Sequence, residues 1–161
     1  MKSAQMKKSH LVSDPPYADL HHVRTKAQRE LMQRAIEKNV CMFCPDSLEK
    51  FHERPIIKRN KSWLVTENKF PYAGARVHLL IIHRQHIEHI RDIRSDGWRD
   101  LGALLSWMSN TYNARGGSFF FRFGDTKYTG ATISHVHGHF ILGVARARAK
   151  GRVRMRRVPD D

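Results

Sequence analysis

The sequence predicts an α+β protein with an antiparallel sheet and its helices on one face. Three observations carry this. Two segments repeat apolar residues at helical spacing, several short apolar runs are bounded by turn residues, and the order along the chain is helix, strands, helix, strands. Residues 1–22 read as a loose basic leader, with Pro15–Pro16 breaking any helix. Residues 24–38 suit a helix, because Ala27, Leu31, Ala35 and the Met32–Ile36 pair fall at helical spacing. Residues 46–60 are polar and give no clear pattern. Residues 63–66 (WLVT) read as a strand closed by Glu67-Asn68-Lys69 and Pro71, and residues 77–82 (VHLLII) as a central strand. Residues 92–96 make a connection, with Ser95 or Asp96 as N-cap. Residues 98–113 form an amphipathic helix with Leu101, Leu104, Leu105 and Met108 on one face, stopped by Gly116–Gly117. Residues 119–123 are a strand, 128–131 a turn-rich loop, and 133–144 a last strand bearing three histidines.

A chain of 161 residues with 40% hydrophobic content suits one domain with tails. No run of about 18 apolar residues occurs, so no membrane span is expected. The basic N-terminus has no apolar segment after it, so no secretory signal is expected and cytoplasmic residence is the default. Lys and Arg number 29 against 15 Asp and Glu, a net charge of +14. That balance favours polyanionic partners such as nucleotides or nucleic acid. Residues 146–157 (RARAKGRVRMRR) hold cations and no acid. Such a tail over 146–161 reads either as a solvated arm or as one that contacts phosphate backbone.

The two cysteines, Cys41 and Cys44, are spaced C-x-x-C. A disulfide this local constrains little chain, and a reducing compartment favours a metal pair. A redox pair of the thioredoxin kind would want a strand before it and a helix after it. Here a helical pattern precedes the cysteines, and Pro45 and Asp46 follow.

In the last strand, His135, His137 and His139 alternate with Val136, Gly138 and Phe140. Successive strand residues face opposite ways, so the imidazoles share one side and the apolar set the other. Three imidazoles in a row invite metal binding or phosphoryl chemistry. The segment resembles the His-φ-His-φ-His-φ-φ signature of the histidine-triad (HIT) family, where φ is apolar. Residues 62–93 resemble that family's strand–turn–strand ending in an "hLLIIP-x-x-H" element, with His83 where proline is usual. Gly124-Asp125 and residues 129–132 (TGAT) resemble its glycine-bearing loop, with Ala131 at the usual glutamine. The likeness spans roughly residues 41–144.

The resemblance implies a HIT-like fold of about five antiparallel strands and two main helices, over a domain from 23 to 145. It implies a nucleotidyl hydrolase or transferase, with His137 attacking an α-phosphorus to give a nucleotidyl-histidine intermediate. His139 would contact phosphate oxygens or manage the leaving-group proton, with a carbonyl fixing the tautomer of His137. Thr132 and Ser134 are candidate hydroxyl contacts, or turn and strand hydroxyls without substrate. Asn68 stands where the family holds the ribose, or is an ordinary turn asparagine. Asp125 would orient the nucleotide or make an Asx-turn, and Arg122 would pair with phosphate or face outward. A structural Zn²⁺ is implied on Cys41, Cys44, His86 and His135, with His83 and His89 as rivals for the third position. A homodimer is the family expectation. Two alternatives stay open: an adenylate-removing enzyme directed to nucleic-acid ends, and a zinc-held nucleotide-binding module without turnover.

Overall fold

A computed structural model describes residues 17–144. The leader up to residue 16 and the basic tail lie outside the described residues, and the expectations about them fall there. The chain runs through α1 (Lys26–Glu37), α2 (Pro45–His52), β1 (Ile56–Arg59), β2 (Trp63–Glu67), β3 (Ala75–His83), α3 (Ser95–Thr111), β4 (Ser118–Arg122), α4 (Thr126–Thr129) and β5 (His137–Gly143). The strands form one five-stranded antiparallel sheet in the order β1-β2-β3-β5-β4.

The helices lie on both faces, not on one. Leu64, Leu80 and Ile82 pack with Leu31, Met32 and Ala35 of α1 and Leu48 and Phe51 of α2. On the other face Trp63, Val65, Leu79, Ile81 and Phe140 pack with Leu101, Leu104 and Met108 of α3. The central strands are buried on both sides, so alternation in β2 and β3 vanishes into continuous apolar runs.

The segment that gave no clear pattern holds α2 and β1. Pro45 starts α2 where its missing N–H costs nothing, and Glu53 ends it in a left-handed conformation at φ 58°. Thr25 caps α1 by accepting from the Gln28 N–H at 3.1 Å. The N-cap of α3 is Arg94, one residue before the expected Ser95, and Asn113 at φ 46° turns the chain well before Gly116–Gly117.

The last strand is shorter than residues 133–144. Its first residues pair outside the ladder: Ser134 N–H donates to the Tyr17 carbonyl at 3.1 Å and Val136 N–H to Ile87 at 2.7 Å. Residues 17–22, read from sequence as leader, reach into the domain here, because Ala18 bridges Ile133 and Asp19 N–H donates to Thr132 at 2.9 Å. Gly138 is required by a close approach. A Cβ there would lie 2.7 Å from Cε2 of Phe119, whose ring fills the space a larger residue would take. Among the described residues, no helix is long and apolar enough to cross a membrane.

Candidate functional site

Strand β5 and the residues leading into it supply two adjoining clusters. The lead-in carries His135, which is buried at 2% exposure. Its Nε2 donates to the His83 carbonyl at 2.7 Å, which leaves the Nδ1 lone pair free. That atom lies 3.3 Å from Cys41 Sγ and 3.9 Å from Cys44 Sγ. His86 Nδ1 lies 3.4 Å from Cys44 Sγ, with its Nε2 3.5 Å from a Glu88 carboxylate oxygen. One ligand atom from each of Cys41, Cys44, His86 and His135 falls within 4.8 Å of all the others, and the set could hold a metal ion. The outer partners, His83 O and Glu88, orient the two rings as a metal site requires. The Cys41 thiol beside it holds Cys44 well below the usual thiol range, whereas that pairing and burial push Cys41 up. The thiolate, the form that binds metal, is thus favoured at Cys44.

Two residues on, His137 turns into the adjacent pocket. Its Nδ1 donates to the His135 carbonyl at 2.6 Å, so Nε2 keeps its lone pair. Burial pushes its pKa down to about 4, opposed by that carbonyl. The ring is therefore neutral at pH 7. Phe43 packs edge-on against it at 5.1 Å.

His139 is held by a residue that sequence reasoning missed. His78 Nδ1 accepts from the Tyr72 N–H at 3.1 Å, so its proton sits on Nε2 and points at His139 Nδ1, 2.9 Å away. His139 then carries its own proton on Nε2, which is the buried side-chain polar atom without a partner among the described residues. Burial first, then His137 and His78, keep His139 well below the usual imidazole range. His78 is held down to about 4 by burial and by Arg24 and Arg122. Its signal was present in the sequence: at period two with Leu80 and Ile82, it interrupts an apolar strand on the triad side.

Asn68 and Thr132 line this pocket with His137, His139, Arg24, Tyr72 and Arg122. Asn68 Oδ1 accepts from Phe70 N–H at 2.9 Å. Its Nδ2 sits 3.0 Å from His78 Nε2 and 3.5 Å from Nδ1, hence over the ring face. Ser134 is buried outside the pocket lining. Asp125 is exposed and caps α4 by accepting from Lys127 N–H at 2.9 Å, which is the Asx-turn arrangement. Gly130, in the left-handed region at φ 62°, ends α4 and delivers Ala131–Thr132 to the pocket wall. His83 and His89, the rival ligands, stand outside the metal-ligand set.

A profile of the family described as "Scavenger mRNA decapping enzyme C-term binding" matches residues 40–152, well over half the chain. The chain belongs to the histidine-triad family. Over 87 residues, 52% of this histidine-triad protein and 67% of the relative, it is 29% identical to an uncharacterised HIT-like protein of Chlamydia muridarum. Its fold is similar to that of a histidine triad nucleotide-binding protein from Sulfolobus tokodaii (TM-score 0.52, 17% identity, 74% of this chain and 82% of that one). It is similar also to a zinc-bound histidine triad family protein from Mycobacterium smegmatis (TM-score 0.50, 19% identity, 74% and 85%).

Proposed function

We propose that this histidine-triad protein is a nucleotidyl hydrolase or transferase that works through His137 on the α-phosphorus of nucleotide derivatives. The observation that carries this reading is the neutral His137 ring, tied at Nδ1 to the His135 carbonyl and lining a pocket with its other nitrogen unengaged. Nε2 attacks phosphorus, a P–N bond forms, and the bond from phosphorus to the leaving group breaks with its electron pair. The His139 ring lies beside this one, with centroids 5.1 Å apart, and its Nε2–H donates to a phosphoryl or departing oxygen. Water or another acceptor then attacks the same phosphorus and returns the electron pair to His137. Asn68 and Thr132 are the sequence-derived nucleotide contacts that line the pocket, and the apolar side chains of Leu31, Met32 and Phe43 suit a base.

The metal we assign to Cys41, Cys44, His86 and His135 is zinc in a structural role. Tetrahedral zinc, about 2.3 Å from sulfur and about 2.0–2.1 Å from nitrogen, sets its ligands roughly 3.3–3.8 Å apart. The sulfur–nitrogen separations of 3.3, 3.4 and 3.9 Å fit that size. Zinc there would supply a covalent anchor for the residues leading into β5. The zinc-bound relative supports the choice. We place the protein in the cytoplasm by default and, on family expectation, as a homodimer.

Mass spectrometry of the full chain mixed with diadenosine polyphosphates and a nucleoside phosphoramidate tests the mechanism. A nucleotidyl adduct on wild type, lost in His137→Ala, is expected. Turnover that persists in His137→Ala would sink the mechanism. Metal analysis should find about one zinc per chain, and none after Cys41→Ser with Cys44→Ser.

A further inference from the structure

Two arginines at the mouth of the triad pocket have no part in the steps above. Arg24 precedes α1, and Arg122 ends β4 directly opposite His137 in the ladder. They flank one ring: Arg24 Cζ lies 4.5 Å from the Tyr72 centroid, and Arg122 Nη2 donates to the Tyr72 hydroxyl at 2.9 Å. Backbone carbonyls hold them further, Phe70 for Arg24 and Thr129 for Arg122. Both line the pocket with His137 and His139, and among the described residues no Asp or Glu does.

Neighbouring side chains of the pocket have acidic partners. Lys69 pairs with Glu53 at 2.7 Å, and His21 and His22 engage Asp19. Neither arginine has a carboxylate partner among the described residues. A guanidinium has five N–H donors, and neutral carbonyls and rings leave several of them and the whole charge without an anion. Two such cations, one over the face of Tyr72 and one at its hydroxyl, in a pocket shared with the unpartnered buried N–H of His139, make a built anion site.

Resting on the nucleotidyl-transfer reading, we propose that Arg24 and Arg122 clamp the phosphoryl group next to the α-phosphate, and so select substrates whose leaving group is itself a phosphate or polyphosphate. His137 Nε2 bonds to the α-phosphorus while the α-phosphorus–oxygen bond to the next phosphorus breaks. The electron pair leaves on that bridging oxygen, which becomes a terminal oxygen of the departing phosphate. The clamp meets this negative charge as it forms. An amine leaving group needs a proton instead, and guanidiniums at pH 7 do not give one up.

Binding of inorganic tripolyphosphate to the full chain, measured by calorimetry, tests the clamp without requiring turnover. Arg24→Gln and Arg122→Gln should each weaken binding by about tenfold or more. Arg24→Lys keeps the charge but loses the fork and the stacking on Tyr72, and should bind between wild type and Arg24→Gln, which guards against a folding artefact. The ratio of kcat/KM for a dinucleoside tetraphosphate over that for a phosphoramidate should fall about tenfold in either Gln variant. Equal tripolyphosphate binding by wild type and both Gln variants would overturn the clamp. The two ideas separate cleanly: a His137 adduct with no charge discrimination removes the clamp alone, whereas discrimination with no adduct removes nucleotidyl transfer alone.

Discussion

The ring of His135 and the rings of His137 and His139 come from one short stretch, yet they differ in how many nitrogens are spoken for. His135 has both engaged: Nε2 with the His83 carbonyl and Nδ1 with sulfur. His137 and His139 each have one engaged, by the His135 carbonyl and by His78. A ring bound at both ends can only hold something in place, whereas a neutral ring with one end unspent can react. The backbone explains the split. His135 precedes the ladder of β5 and leans toward the cysteines, whereas His137 and His139 sit within it, opposite Ile82 and Leu80 on one side and Arg122 and Phe120 on the other.

The sharpest way to break this contrast is a pair of variants. His137→Ala should lower turnover by roughly 10⁴-fold or more with little change in melting temperature. His135→Ala should instead release the metal and lower the melting temperature by on the order of 10 °C or more. Thermal melts, metal content and turnover check both. Loss of turnover in His135→Ala with metal and stability intact would erase the distinction.

A smaller effect concerns the apolar side of the same strand. Gly138→Val forces the Phe119 ring aside and should cost about 1–3 kcal/mol in urea unfolding. Adding Phe119→Leu should return part of it. No recovery would show that the fit between these two residues is not the reason for glycine.

An effect of similar size, about 2 kcal/mol between pH 7 and 5, is in pH. His137 is held at about 4 against an ordinary 6.5. Below pH 6.5 the unfolded chain takes up a proton that the folded chain refuses until about 4, so stability falls through that window as pH falls, and levels off beneath it. The loss is about 1.4 kcal/mol per pH unit for this group. Urea unfolding of wild type and His137→Phe between pH 7 and 5 should differ by about that slope. Parallel profiles would mean that the ring takes up its proton equally readily in the folded and unfolded chains.

The period of two over residues 135–139 and the C-x-x-C pair were legible without coordinates, whereas His86 as their neighbour came from the family resemblance, with His83 and His89 as rivals. Residue type and spacing alone set which way a strand side chain points. Segment 45–59 was not legible: Leu48 and Phe51 are the only large apolar residues in α2, and they take helical meaning only when packed under α1 and the sheet. Nor could chain order assign α1 and α2 to one face and α3 to the other.

The sequence by itself determined the chemistry available: three aligned imidazoles, two thiols and an excess of cations. Only the tertiary structure decided the allotment. It put His78 and Tyr72 behind His139, brought Arg24 and Arg122 onto the same Tyr72 ring, and left Asp125 at the surface. Strand pointing is a local property of the backbone. A proton's position on a ring, or the partner of a buried charge, depends on groups dozens of residues away that meet only when the sheet closes.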